Sequence, residues 1–118
     1  MIARVWHAKN PNWTPLPGDP EPQWPNDFKY VADVLVADGQ RDAADVAFQL
    51  TNHFDRAWWE NDGVRKVVAR EVRSTSVGDV VVVEGDVFKC ESVGWSRLPS
   101  DLAAYEHMAN ELNEFEGE

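Results

Sequence analysis

Two short clusters in the chain hold most of its chemically capable side chains. In Thr51-Asn52-His53-Phe54-Asp55-Arg56-Ala57-Trp58-Trp59-Glu60-Asn61, an imidazole, carboxylates, a guanidinium and two adjacent indoles follow one another closely. Exposed tryptophan beside arginine is the composition of protein-interface hot spots. Asn52, His53, Asp55, Arg56, Trp58 and Trp59 are therefore read as a partner-binding surface. If the segment is extended, Trp58 and Trp59 point to opposite sides, one toward the core and one outward. The second cluster, Arg73-Ser74-Thr75-Ser76, reads as a hydroxyl-rich turn whose side chains bond local backbone, and Arg73, Ser74 and Ser76 join the candidate surface. His7, His53 and His107 are far apart and there is no cysteine pair, so no metal is expected. Cys90 alternates with Phe88 and Ser92 and has no neighbouring base, which marks a small core residue rather than a nucleophile. No glycine-rich phosphate loop is present. No cofactor is expected, and no residue is assigned a catalytic role.

These clusters sit in a chain of 118 residues, the size of a single domain. With 43% hydrophobic and 27% charged residues and no long apolar run, the composition is that of a soluble globule with no membrane span. The start, MIARVWHAKN, lacks the pattern of a secretory signal, and one cysteine cannot form an internal disulfide, so a cytoplasmic location is expected. The net charge of −10 repels phosphate backbones and argues against direct nucleic-acid binding. The charge is uneven. Residues 1–63 carry ten acids and five bases, residues 64–98 five acids and six bases, and residues 99–118 six acids and no base.

Pattern then supplies the elements. Ile2 to His7 reads as a strand with both faces apolar. Six of the seven prolines lie between Pro11 and Pro25, which makes residues 10–26 an extended surface loop pinned by Trp13, Leu16 and Trp24. Phe28 to Ala37 is a strand placing Phe28, Tyr30, Ala32, Val34 and Val36 on one face. A helix follows from Gln40 to Thr51, with Asp38 as a cap and Asn52 as a left-handed C-terminal stop. Val64 to Arg73 reads as a basic strand. Val80 to Val83 and Val87 to Val93 form a hairpin around Glu84-Gly85, entered through Ser76-Val77-Gly78-Asp79. Gly94 kinks its end and sets Trp95 against the sheet. From Ser100 an acidic helix runs to residue 116, and its outward Glu106, Glu111 and Glu114 extend the candidate surface. The expected fold is α+β: a mixed or mainly antiparallel sheet of about five strands with one internal and one C-terminal helix.

Leu50-Thr51-Asn52, Trp58-Trp59-Glu60-Asn61, Arg73-Ser74-Thr75-Ser76-Val77-Gly78-Asp79-Val80-Val81 and Val93-Gly94-Trp95 together resemble small uncharacterised proteins of actinobacterial phages and plasmids. The Ser-Val-Gly-Asp-Val-Val hairpin is also similar to YodL-like domains of mobile elements. The resemblance implies a non-enzymatic accessory protein that binds a host macromolecule, in all expectation a host protein. An acidic nucleic-acid mimic that inhibits a host nuclease or regulator is the alternative. A third reading comes from the Ser-Thr-Ser segment with Arg4 before it and Glu114 and Glu116 after it, which resembles arginine-type ADP-ribosyltransferases.

Overall fold

An N-terminal segment with apolar residues on both faces becomes an interior strand. In the computed structural model, which describes residues 1–11, 16–39, 42–52, 57–69 and 72–98, the elements are β1 (Ile2–Ala8), β2 (Phe28–Leu35), α1 (Ala43–Leu50), a 3-10 turn (Trp58–Glu60), β3 (Val64–Lys66), β4 (Val80–Val83), β5 (Asp86–Cys90) and β6 (Trp95–Leu98). The fold is α+β. Six strands form one sheet in the order β3-β2-β1-β4-β5-β6, and every neighbouring pair is antiparallel.

On one face Ala3, Val5, Val31, Ala32, Val34 and Val81 pack with Ala43 and Ala47 of α1 and with Trp58. The small alanines let α1 lie close to the sheet, where its side chains add to the burial of about 25 cal/mol per Å² of apolar surface. On the other face Trp6, Ala8, Phe28, Tyr30, Val80, Val82 and Val87 form a second cluster. Trp24, from the proline-rich segment, meets Trp6 edge-on at 5.1 Å and Phe28 at 5.5 Å. Trp24 thus pins the loop as expected. Leu16 does not: it is 70% exposed. Trp13 lies outside the described residues.

The strand expected from Phe28 onward does not keep one apolar face. Val5 pairs with Ala32 but Trp6 pairs with Tyr30, so Val31 is an extra residue in β2. This bulge reverses the alternation. Phe28 and Tyr30 consequently join Trp6 on the face away from α1, while Ala32, Val34 and Val36 join Val5 on the α1 face.

Four other expectations change. The sheet has six strands because Gly94, at φ 74°, closes a tight turn in which Glu91 N–H donates to Gly94 O at 3.0 Å, and the chain returns as β6. The basic strand is confined to Val64–Lys66, and residues 72–76 belong to no strand. α1 begins at Ala43 behind Asp42; Asp38 instead takes the N-terminal ammonium at 2.8 Å, while Gln40 and Arg41 lie outside the described residues. Thr51, at φ −113°, ends α1, and Asn52 is not left-handed. The hairpin of β4 and β5 stands, with Glu84 (φ 49°) and Gly85 (φ 85°) both left-handed as a two-residue turn of matching twist requires. The acidic helix expected at 100–116, with Glu106, Glu111 and Glu114, lies outside the described residues.

Candidate functional site

The Arg73-Ser74-Thr75-Ser76 segment is held between β1, α1 and the 3-10 turn by a buried polar knot. At its centre is Asp79, just before β4 and 1% exposed. One carboxylate oxygen accepts from Ala8 N–H at 2.9 Å and from Arg73 Nη2 at 2.8 Å. The other accepts from Ser76 N–H at 2.8 Å and from Arg73 Nη1 at 2.6 Å. Arg73 also donates to the Ser74 carbonyl at 3.0 Å and the Ala8 carbonyl at 3.3 Å. A buried charge needs this completeness, because an uncompensated one is costly.

The same segment is tied to the helical side. Trp58 Nε1 donates to the carbonyls of Val72 and Arg73 at 3.1 and 3.0 Å. Asn52 Nδ2 donates to the Thr75 carbonyl at 2.6 Å, and Thr75 N–H donates to Thr51 O at 2.9 Å. Thr51 Oγ1 in turn donates to Ala47 O at 2.7 Å. Asn52, Trp58, Arg73, Ser74 and Ser76 therefore do come together, with Trp58 buried and the other four half-buried. Trp58 is 1% exposed and Trp59 half-buried, with the rings edge-on at 5.3 Å and Lys66 Nζ 4.2 Å above the Trp59 ring. The unequal burial expected of the pair holds, although the backbone is a 3-10 turn and not extended. His53, Asp55 and Arg56 lie outside the described residues.

His7 completes the knot. Its Nε2 lies 2.8 Å from Thr75 Oγ1 and 3.9 Å from Asp79 Oδ2. A hydroxyl–imidazole–carboxylate triad needs the carboxylate on the opposite ring nitrogen from the hydroxyl. Here both approach Nε2, and Thr75 is wholly buried. The arrangement is built to hold a loop, not to activate a nucleophile. Arg4 is directed elsewhere: its guanidinium reaches toward Asp33 at 4.0 Å, where Arg65 at 2.7 Å and the Tyr30 hydroxyl also meet that carboxylate, on the sheet face away from His7. Cys90 is buried, and burial pushes its thiol up to about 11, leaving it protonated at neutral pH, as suits the small core residue expected.

Burial also pushes the His7 pKa down to about 4, against the pull of Asp79 and with the help of Arg73. The ordinary value is 6.5. Between these values the unfolded chain binds the proton and the folded chain does not, so stability is complete above pH 6.5 and declines as pH falls toward 4. The expected loss across that window is about 3 kcal/mol. Denaturant titrations between pH 7 and 4 measure it, and His7→Gln should flatten the slope. An equal slope in both proteins would show that other groups are responsible.

A second feature opens between α1 and the β4–β5 hairpin. This cavity of about 310 Å³ is lined by Asp42 and Asp45 from the start of α1, Glu84 and Asp86 from the hairpin, Phe88 and Trp95 as aromatic walls, and Met1, whose ammonium is taken by Asp38 and Val36 O. Trp95 Nε1 donates to Asp45 Oδ1 at 2.6 Å, and the indole packs edge-on against Phe48 at 6.2 Å. Asp86 pairs with Arg97. Asp42 and Glu84 have no cationic partner among the described residues. Acids at the start of α1 favour its dipole, Asp86 has Arg97 as its partner, and Glu84 is one of the two turn residues of the hairpin.

Sequence reasoning singled out neither Asp79 nor this cavity. Asp79 carried one readable signal: an acid after Ser-Val-Gly can accept the N–H three residues back, as it does from Ser76. The cavity had none, since its walls come from four separated segments. Among the described residues no group of three or more histidine, cysteine or acidic side chains is placed to hold a metal ion. No protein-family model, curated protein or solved structure matches the chain.

Proposed function

We propose that this protein is a non-enzymatic binding protein that takes a basic segment of a macromolecular partner into the acidic, aromatic-walled cavity between α1 and the β4–β5 hairpin. The observation that carries this reading is the gathering of Asp42, Asp45, Glu84 and Asp86 around Phe88 and Trp95. Carboxylates at the rim attract and orient a lysine or arginine, and an aromatic wall receives its aliphatic stem or its charged head. A host protein, met by an accessory protein of phage or mobile-element origin, is the partner that the resemblance of the sequence favours. A nucleic-acid mimic would want its carboxylates in a continuous row; these four ring one cavity. No helix among the described residues is long and apolar enough to cross a membrane.

The test compares the full chain with an Asp42→Asn/Glu84→Gln double variant as baits for host-cell proteins. Both side chains are exposed, so the fold should persist. The reading expects a partner that binds the parent protein in a salt-sensitive way and binds the variant about tenfold more weakly, which corresponds to roughly 1.4 kcal/mol. Equal retention by both baits, or a partner insensitive to salt, would overturn it.

A further inference from the structure

The two strands that end the sheet, β3 and β6, differ in how their outer edges are protected. β3 is three residues long, carries Arg65 and Lys66, and its Val64 N–H is taken by Asn61 O at 3.2 Å. Short cationic edges of this kind discourage pairing with another chain. β6 lacks these guards, its one charge being Arg97. Glu91 N–H donates to Gly94 O at the turn before β6, so the alternation of an antiparallel ladder makes Lys89–Ser96 and Val87–Leu98 the bonded pairs and Cys90–Trp95 and Phe88–Arg97 the non-bonded ones. Cys90 agrees with this phase, since its N–H donates to Asp79 O and its carbonyl accepts from Gly78 N–H, both at 2.8 Å and both on the β4 side. The N–H and C=O groups of Trp95 and Arg97 consequently point away from β5, and among the described residues nothing bonds them.

This row of free groups is complementary to itself. A second β6 laid antiparallel, with a two-fold axis at Ser96, sets Trp95 of each copy opposite Arg97 of the other. Each copy then offers two N–H and two C=O groups, and all of them bond across the axis, whereas a register centred on Trp95 or on Arg97 sets like side chains opposite each other and leaves part of the row outside β6. Trp95 and Arg97 both lie on the α1 face: Trp95 reaches Asp45 of α1, and Arg97 stands opposite Phe88, which packs in the α1-side core. The guanidinium of one copy therefore meets the indole of the other on each side of the axis, a cross-strand cation–π pair. Arg97 keeps Asp86 in this arrangement, because a planar guanidinium bonds a carboxylate in its plane and stacks through its face.

The neighbouring positions suit the same register. At the axis Ser96, small and neutral, meets its own copy, and Leu98 falls opposite Gly94, which has no side chain to obstruct it. Charge also selects this edge. The chain carries −10, but residues 64–98 hold five acids and six bases, so two copies approach through the part of the chain that repels least. A basic strand of another protein would instead bring its cations against Arg97.

We propose that β6 is a self-association edge: two copies of this chain pair antiparallel through Trp95-Ser96-Arg97, which continues the sheet across the dimer and leaves α1 of both copies on the same face. The interface is isologous, as a closed two-fold dimer requires.

Sedimentation of the full-length chain between about 1 μM and about 1 mM, joined to amide exchange at both ends of that range, tests this. The expected mass rises to twice that of the monomer. The amides of Trp95 and Arg97 should exchange freely in dilute solution and about tenfold or more slowly in concentrated solution, while those of Ser96 and Leu98, bonded to β5, are protected at both. Arg97→Pro removes an N–H that points away from β5, a place where an edge strand tolerates proline, and should weaken the dimer at least about tenfold with the amide spectrum of β1 and β4 unchanged. Arg97→Glu keeps the backbone donor and replaces the cation, and should weaken it too, whereas Arg97→Lys should stay close to the parent. Asp42→Asn/Glu84→Gln should leave the association unchanged, which separates it from partner binding at the acidic cavity. A monomer at 1 mM, a dimer in which the Trp95 and Arg97 amides stay fast, or association undiminished in both Arg97→Pro and Arg97→Glu would overturn the proposal. Protection of those two amides at every concentration would also overturn it, since the edge would then be covered within one chain.

Discussion

Replacement of Asp79 by alanine is expected to cost about 3 to 5 kcal/mol, the range found when one partner of a buried ion pair is removed. The carboxylate takes four hydrogen bonds, two from Arg73 and two from backbone N–H groups of Ala8 and Ser76. Truncation leaves the guanidinium uncompensated and strands both backbone donors beside β1, each a further desolvation penalty. Asp79→Asn retains an oxygen acceptor but loses the charge, so it should fall between the parent and alanine. Asp86→Asn is the control: Asp86 and Arg97 are both well exposed, and such pairs contribute at most about 1 kcal/mol. Equilibrium denaturation of the three variants decides the matter. A loss for Asp79→Ala no larger than that for Asp86→Asn would show that the knot is not what holds residues 72–76.

The second large effect separates two adjacent tryptophans. Trp58→Ala should cost about 3 to 5 kcal/mol, as for other core Trp truncations, because it empties a fully buried site under α1 and orphans the carbonyls of Val72 and Arg73. Trp59→Ala should cost about 1 kcal/mol, since that ring is half-buried and its added contact is the Lys66 ammonium over its face. Equal losses in the same titration would contradict the arrangement of the 3-10 turn.

What was legible in the sequence follows a physical line between local and distant causes. The four valines of β4, the Glu84-Gly85 turn, the return along β5 and the alanine-rich stripe of α1 all announce themselves within a few residues, and all are found. The α+β class follows from them. The inequality of Trp58 and Trp59 was expected from an extended backbone, and it is found on a 3-10 turn instead. The bulge at Val31 was not readable, because it is set by how β1 pairs with β2 and leaves the spacing of Phe28, Tyr30, Ala32 and Val34 looking regular. β6 was read as a kinked end, since none of its four residues is β-branched and its place comes from pairing with β5. The candidate sites lie furthest beyond local reach. Asn52, Arg73, Ser74 and Ser76 drew notice as exposed chemistry, whereas their roles depend on Asp79, Trp58 and a histidine near the start of the chain.

That histidine points to how the fold is closed. Thr75 meets His7 across 68 residues of sequence, and Ala8 meets Asp79 across 71. β1 and β2 therefore cannot join the β4–β5–β6 meander until the chain has closed a loop of that length. The length-dependent entropy of that closure is on the order of 4 kcal/mol, set by the logarithm of the loop length. The knot forms at the point where the loop shuts and supplies bonds of comparable total strength, so it acts as the clasp of the sheet. The three strands of the meander depend only on near neighbours and can pair early. The docking of β1 beside β4, with the largest loop to close, is therefore the step expected to come last.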